Sequence, residues 1–271
     1  MSYYQDIFHT SNWEEATYEE KLAALQTLEN DYAARQGRPP CKIQPEELDP
    51  EEIGYYYEKT NEILINKDLL NGLDPEHKWA HTCNYLCVNT ILHEGRHAYQ
   101  NHAMNHDVHP DNEEVRKWRE NNEIYYGSGS EFDMYRLQPL ERDAYDYAET
   151  EMNNVFADLE TKFGENQWFD YFSNTLALDK IEAEMTALKR CGLDYIQKID
   201  ALIHQRYQEK LEKEAKAKVK ESFWGKSPIE MLDSFKFFKM SNRDLISEAV
   251  EERTALGEII NWKERNNELE R

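Results

Sequence analysis

The segment His93-Glu94-Gly95-Arg96-His97 constrains this chain more than any other feature of its 271 residues. The surrounding sequence is typical of a helix, and on a helix two histidines four positions apart leave the same face, one turn apart. Two imidazoles in that arrangement can bind one metal ion, and Glu94 then lies beside the metal rather than on it. We therefore expect a helix near the middle of the chain that supplies two metal ligands and one adjacent carboxylate.

A third ligand has to come from elsewhere, because a catalytic zinc site takes three protein ligands and keeps one position open. One known zinc pattern requires Gly and His where this chain has Gln100 and Ala103, and His102 has the wrong helical phase. Glu141 is the best remaining candidate, since it lies one turn into a later helix and small Ala144 follows on the same face. The predicted zinc ligands are therefore His93, His97 and Glu141.

Charge and hydropathy exclude several classes of protein. The chain has 32 basic and 54 acidic residues, and its net charge of −22 opposes binding to nucleic acid or to anionic membranes. Solvated helix faces account for this charge, and a preference for basic substrates or mimicry of a polyanion are the alternatives. The first residues lack the features of a signal peptide, and no apolar run approaches the roughly 18 residues of a membrane span. We predict a cytoplasmic protein, with delivery by a specialised secretion system left open, and the sequence predicts no oligomeric state.

The four cysteines do not indicate a disulfide framework in a chain of this length. Cys83 and Cys87 lie one turn apart on the predicted helix, where a bridge would constrain little. We interpret them as buried thiols. The alternative, a Cys-x3-Cys zinc site, lacks matching Cys or His partners.

The predicted fold is α+β and mostly helical, with a small antiparallel sheet in the first part of the chain. Periodicity predicts a helix over residues 14 to 36, ended by Gly37, and an extended segment over 41 to 43. Residues 54 to 66 read as two short strands joined by a turn at 59 to 61.

The remainder of the chain is predicted to be helical. Asp74 and Pro75 are typical of a helix start, which would continue to about residue 105. Further helices are expected over 113 to 123, from Pro139 to about 162, and over 167 to 190, 193 to 222 and 241 to 267. A boundary near 164 would separate a catalytic core, residues 1 to 164, from a helical C-terminal region, residues 165 to 271, although both could pack as one unit.

Three segments, GYYYEKTNEILIN, LHEGRHAYQ and QPLERDAYDYA, resemble the small zincin-like metallopeptidases of bacteria, phages and mobile elements. The resemblance is of the gluzincin type and covers roughly residues 54 to 150. It implies a zincin-like core, Zn²⁺ bound by His93, His97 and Glu141, and Glu94 as catalytic base. It further implies that residues 62 to 66, or a neighbouring strand, line the cleft and pair with an extended peptide or protein substrate.

The expected function is therefore a zinc-dependent metallopeptidase that hydrolyses peptide bonds through a zinc-activated water, with Glu94 as general base. The alternative is a non-catalytic, zinc-stabilised binding protein whose acidic helical C-terminal part recognises a partner. A zincin fold that has lost catalysis is a further alternative, although the retention of Glu94 beside both histidines favours a working centre.

Other residues near the motif have two interpretations each. Tyr145, four residues after Glu141, either stabilises the oxyanion of the reaction or packs against the motif helix. Asp143 either accepts a hydrogen bond from a ligand histidine or is solvated. Gly95 lowers helix propensity and suggests close packing over that turn. The histidines that follow the motif either form a second metal site or belong to a solvated helix end. They are His102, His106 and His109.

Overall fold

The computed structural model describes residues 3–49, 52–77, 79–106, 112–127, 132–164 and 178–223. Within these ranges the chain is mostly helical and has one three-stranded sheet, in agreement with the α+β prediction. The chain divides into two compact units, Met1–His204 and Gln205–Arg271. In the second unit the structure describes residues 205–223, which are helical.

The first half of the chain holds two N-terminal helices and the sheet. A 3-10 helix spans Tyr3–Phe8. The regular elements that follow are α1 (Thr10–Glu15), α2 (Tyr18–Gln36), β1 (Lys42–Glu46), β2 (Gly54–Tyr57), β3 (Glu62–Asn66) and α3 (Lys67–Asn71).

After residue 71 the regular structure is helical wherever it is described. Its elements are α4 (Cys83–Asn105), α5 (Glu113–Glu123), α6 (Phe132–Leu137), α7 (Pro139–Phe163) and α8 (Leu178–Phe223). The predictions of α5 and α7 are confirmed, with Pro139 opening α7 and left-handed Gly164, at φ 76°, closing it. The sequence did not predict α6.

The predicted helix over residues 14 to 36 is two helices in the structure. Thr17 begins α2 with a capping box: its hydroxyl accepts from the Glu20 amide, and the Glu20 carboxylate accepts from the Thr17 amide. Ala16 is extended, which ends α1. A Thr followed three residues later by Glu satisfies two amides at once, so a new helix start here is favoured over continuation. Gly37 ends α2 in the left-handed conformation, as predicted.

The sheet is mixed, so the prediction of an antiparallel sheet is wrong for one strand. β2 and β3 form the expected antiparallel hairpin, whereas β1 pairs with β3 in parallel, giving the order β1-β3-β2. The chain reverses between β1 and β2 and again between β2 and β3, and two reversals restore the original direction. Gln26 of α2 holds β1 in place by accepting from the Ile43 amide and donating to the Cys41 carbonyl.

The motif helix begins at Cys83 and not near Asp74. The Asp74 side chain does accept from the Glu76 amide, but the backbone bonds that follow join residues three apart, such as Thr82 to Trp79. Those bonds form successive turns. The capping signal in the sequence was therefore genuine, yet it stabilises a turn rather than a long helix.

Helix α4 is the centre of the fold, because it contacts α2, α5, α7 and the sheet. Its apolar face is buried in one large cluster with side chains from α2, α7 and the sheet. Members of this cluster include Leu25, Leu28, Ile63, Ile65, Leu86, Ile91, Met152 and Phe156. Burial on several sides fixes the rotation of α4, and the polar face that carries the motif is left toward β2 and α7.

The described residues cover the C-terminal predictions only in part. The separate helices predicted over 167 to 190 and 193 to 222 are one continuous helix, α8, from residue 178 onward, and its Ile199 and Ile203 pack against Leu137. Residues 165–177 and 224–271 lie outside the described residues, so the boundary near 164 and the helix over 241 to 267 stay predictions. Among the described helices, none is both long and apolar enough to cross a membrane.

Candidate metal centre

Two helices bring the three predicted ligands together. Helix α4 supplies His93 and His97, and α7 supplies Glu141 from its first turn. Ala144, one turn further along α7, is fully buried. A small side chain at that position allows α7 to lie close to α4, as the sequence predicted.

The ligand atoms converge on one point. The two imidazole Nε2 atoms are 3.1 Å apart, and the Glu141 carboxylate oxygens lie 3.4 Å from His93 Nε2 and 3.3 Å from His97 Nε2. Ligands about 2.1 Å from a tetrahedral zinc ion are about 3.4 Å from one another. These three residues could therefore hold a metal ion.

The charges at the centre also fit a cation. Glu141 is 1% exposed, and its Oε2 atom has no hydrogen-bond partner in the described part of the chain. Burial raises the pKa of this carboxyl, but the adjacent His93 and His97 imidazoles outweigh that effect and hold the pKa well below its usual range. A buried ionised carboxylate with an unsatisfied oxygen is costly unless a cation lies beside it.

His97 competes for a proton at the same place. Burial lowers the pKa of His97, but the neighbouring carboxylates of Glu141 and Glu94 raise it by more. The pKa is therefore about 9, above its ordinary value of 6.5. In the metal-free protein at neutral pH, a proton on His97 therefore compensates the charge of Glu141. A divalent cation would replace that proton.

Gln100 orients His97. Its Oε1 atom lies 2.8 Å from His97 Nδ1, and its Nε2 atom donates to the Leu140 carbonyl at 2.9 Å and to Asp143 Oδ2 at 2.7 Å. These two acceptors fix the orientation of the amide, so its oxygen must accept from His97 Nδ1. The Nε2 atom of His97 is then directed to the other two ligands. For His93, the buried Nδ1 atom has no hydrogen-bond partner in the described part of the chain.

Asp143 fits neither of its two interpretations from the sequence. It accepts two hydrogen bonds from Arg96, at 2.8 and 2.9 Å, and reaches His97 only through Gln100. Sequence reasoning missed Gln100, although its position three residues after His97 places both on one helix face.

Glu94 lies next to the ligand group without belonging to it. Its Oε1 atom is 4.0 Å from His93 Nε2, and its Oε2 atom accepts a 2.8 Å hydrogen bond from the Tyr56 amide of β2. Tyr56 belongs to the edge strand β2, so this contact places the outer edge of the sheet next to the candidate metal centre. The sequence predicted residues 62 to 66 or a neighbouring strand for this place. Residues 62 to 66 form the middle strand β3, and the neighbouring strand β2 is the one that faces the centre.

Comparisons with known proteins leave the chain without a family. No protein-family model, no curated protein and no solved structure matches it. The zincin-like resemblance therefore remains a prediction from the motifs. The geometry of the centre is the basis for the proposed function.

Gly95 is required by what packs over the motif. A Cβ atom at this position would lie 2.9 Å from Arg38 Nη2 and 3.0 Å from Glu29 Oε2. Arg38 and Glu29 form a buried bidentate ion pair, with bonds of 2.6 and 2.9 Å. The close packing that Gly95 suggested is thus found.

A cleft of about 670 Å³ opens over the ligand group. Five tyrosines line it: Tyr55, Tyr56, Tyr125, Tyr135 and Tyr145. The Tyr125 hydroxyl donates a 2.6 Å hydrogen bond to Glu141 Oε1. Sequence reasoning missed Tyr125, since it follows α5 in a segment with no periodicity to relate it to the motif.

Tyr145 packs against a ligand, as one of its two interpretations requires. Its ring meets the His93 ring edge to face with centroids 4.4 Å apart, and the Arg136 guanidinium lies 4.1 Å from the Tyr145 centroid. Burial and the charge of Glu141 raise the pKa of Tyr145, so its hydroxyl stays protonated at neutral pH. A catalytic role for this hydroxyl stays a prediction.

The remaining candidate metal residues form no second centre in the described ranges. The rings of His102 and His106 stack with centroids 4.4 Å apart, and no third ligand joins them there. His109 lies outside the described residues. Cys83 and Cys87 are free buried thiols, as predicted.

Proposed function

We propose that this protein is a zinc-dependent metallopeptidase, with His93, His97 and Glu141 binding the metal and Glu94 acting as general base. The observation that carries the proposal is the position of Glu94. It lies within 4.0 Å of a ligand atom, outside the ligand group and inside an open cleft. A purely structural metal site has no need of a fourth, non-ligating carboxylate at its open side.

The donor set supports zinc as the metal. Imidazole nitrogen and carboxylate oxygen are ligands that zinc accepts, and two histidines with one glutamate form a known catalytic set. Bound zinc would act as a Lewis acid on a carbonyl oxygen and would lower the pKa of water to about 7.

Glu94 would move the proton in the reaction. Its carboxylate accepts a proton from the attacking water as the water oxygen bonds to the carbonyl carbon of the substrate. The same carboxyl then gives that proton to the amide nitrogen as the carbon–nitrogen bond breaks, and an acid and an amine result. The Tyr56 amide holds Glu94 Oε2 in place, so the carboxylate needs little reorganisation during these transfers.

The edge of β2 supports a peptide as the substrate. Backbone groups on the outer edge of a strand can pair with an extended chain, and this edge faces the centre. The Tyr56 amide already donates to Glu94, so a substrate would pair with the other outward groups of β2. Tyr125 and Tyr145 line the cleft beside Glu141, where their hydroxyls could donate to the oxygen on which negative charge develops.

Metal analysis and hydrolysis test the proposal together. Wild-type protein should bind close to one zinc per chain and should cleave a library of proteome-derived peptides. The variant Glu94→Gln should keep its zinc and lose at least about 100-fold in rate, because the general base is gone. The matched control is Glu149→Gln, the same change at an exposed position of α7.

Each result has a defined meaning. Hydrolysis by Glu94→Gln at the wild-type rate would contradict the mechanism. Zinc-loaded wild-type protein that cleaves no peptide would favour the alternative of a zinc-stabilised binding protein.

A further inference from the structure

The cleft over the metal centre is acidic. Among the described residues that line it are four carboxylates and no lysine or arginine. The carboxylates belong to Glu52, Glu58, Glu94 and Glu141. A divalent cation would neutralise only two of them, so two negative charges would remain in a cleft that is built to receive a substrate.

Glu52 and Glu58 are the carboxylates without a role in the chemistry. Both are exposed, and neither forms an ion pair with another described residue. Lys59 follows Glu58 in sequence but does not line the cleft. The charges of Glu52 and Glu58 are therefore available to a bound molecule.

These two residues flank the strand that faces the centre. Glu58 comes two residues after Tyr56, and Glu52 comes four residues before it. Glu58 directly follows the last residue of β2 and Glu52 lies two residues before its first, so the two carboxylates belong to the segments at opposite ends of the strand. A peptide extended along β2 would place side chains within reach of both.

Aromatic faces in the cleft favour the same kind of ligand. Tyr55 and Tyr125 line the cleft and are 37% and 47% exposed. Tyrosine rings attract lysine and arginine side chains through the negative charge of their faces. Carboxylates and exposed rings without a competing cation form a lining suited to cationic side chains.

We infer that the cleft selects peptides with lysine or arginine within about four residues of the scissile bond, and that Glu52 and Glu58 determine this specificity. The inference rests on the proposed peptidase function. Part of the acidic character of the chain would then serve substrate binding, because Glu52 and Glu58 line the cleft.

Two synthetic peptides test the specificity. They are identical except for one position, which is lysine in one and acetyl-lysine in the other, and each carries a fluorophore. The shared sequence of the two peptides is taken from sites that wild-type protein cleaves in a peptide library. That library is prepared by digestion with a glutamyl endopeptidase, so lysine and arginine remain inside the peptides. We expect wild-type protein to have at least about fivefold higher kcat/KM for the lysine peptide, and this preference should weaken as salt rises from 50 to 500 mM, roughly.

The double variant Glu52→Gln/Glu58→Gln should lose the preference and cleave the acetyl-lysine peptide at the wild-type rate. The control Glu14→Gln/Glu149→Gln changes the net charge equally at two exposed positions outside the cleft. It should retain the preference. A preference that survives in the cleft variant, or that is lost equally in the control, overturns the inference.

Binding separates this inference from the proposed function. Zinc-loaded Glu94→Gln should bind the lysine peptide more tightly than the acetyl-lysine peptide, as measured by fluorescence anisotropy. If wild-type protein cleaves nothing in the library, the same lysine and acetyl-lysine pair is made from an arbitrary library sequence; a difference in binding then means that the peptidase fails and the ligand preference stands. If both peptides are cleaved and bound equally, the peptidase stands and the preference is wrong.

Discussion

The hydroxyl of Tyr125, a residue outside α4 and α7, donates a 2.6 Å hydrogen bond to Oε1 of the candidate ligand Glu141. Burial and the charge of Glu141 raise the pKa of Tyr125, so the hydroxyl remains a donor at neutral pH. Metal binding by Glu141 would release the single proton of this hydroxyl, which could then be donated to a substrate carbonyl oxygen beside the metal as negative charge develops there.

We therefore expect Tyr125→Phe to lower kcat by about tenfold or more with little change in zinc content. Steady-state kinetics on a cleaved peptide measure the effect, and metal analysis shows whether the site is intact. Tyr145→Phe is the comparison, because the Tyr145 ring packs on His93 and most of that contact survives the loss of the hydroxyl. An unchanged kcat in Tyr125→Phe would exclude the hydroxyl from the chemical step.

Gly95→Ala should destabilise the protein. The added methyl group would press on the buried pair of Arg38 and Glu29, whose shift would strain two buried charges. The strained pair should cost about 2 kcal/mol and the better helix propensity of alanine should return about 1 kcal/mol, so a net loss of about 1 kcal/mol in the free energy of unfolding is expected, measured by urea denaturation of the metal-free protein. Gly127→Ala is a matched control, because a Cβ atom there meets nothing within 4 Å. Equal stability of the two variants would show that the packing over the motif tolerates a methyl group.

Gln100→Leu should weaken zinc binding. Without the amide oxygen, the Nδ1 atom of His97 loses the acceptor that fixes its ring, and the partly buried Asp143 carboxylate loses a donor. Changes of this kind cost about 10- to 100-fold in metal affinity. Competition with a chromogenic chelator measures it, and Asn105→Leu, an exposed change on the same helix, serves as the control. Unchanged affinity in Gln100→Leu would mean that packing alone orients His97.

Zinc affinity should rise with pH up to about 9. In the metal-free protein the pKa of His97 is raised to about 9, so below that pH the metal must displace a proton from this residue. The His97 contribution amounts to about tenfold in affinity per pH unit, and it disappears above pH 9. Chelator competition at several pH values checks the slope. A flat dependence between pH 7 and 9 would show that His97 is neutral before the metal binds.

The stability of the metal-free protein should change with pH in the opposite direction. The folded pKa of His97 lies above its ordinary value of 6.5, so its stabilising contribution is complete below pH 6.5 and is lost as pH rises toward 9. The free energy of unfolding should therefore fall over this interval in wild-type protein without metal, and less so in His97→Gln. Urea denaturation in the presence of a chelator measures both.

Sequence reasoning worked best where a few adjacent residues determine the structure. The spacing of His93 and His97 places both on one helix face regardless of the rest of the protein. Pro139 and Gly164 mark the ends of α7 through their backbone preferences alone. Such features depend on chain geometry over about one helical turn, which a single sequence displays.

It failed where two local signals compete or where a strand needs a distant partner. Asp74 can cap a turn as well as a helix. In the structure it caps a turn, and α4 starts only at Cys83. The parallel pairing of β1 depends on contacts with α2 and β3, which lie about 15 to 20 residues away. No local pattern specifies the direction of such a strand.

The sequence by itself determined the three candidate ligands, because their residue types and helical spacing already match a metal site. Only the tertiary structure decided what surrounds them: the Tyr56 amide on Glu94, Gln100 behind His97, and Tyr125 on Glu141. Most of these contacts join elements brought together by packing on α4, and burial of apolar faces sets their distances. The pairing of His93 with His97 follows from local helix geometry, whereas the approach of Glu141 and the surroundings of all three residues follow from the fold as a whole.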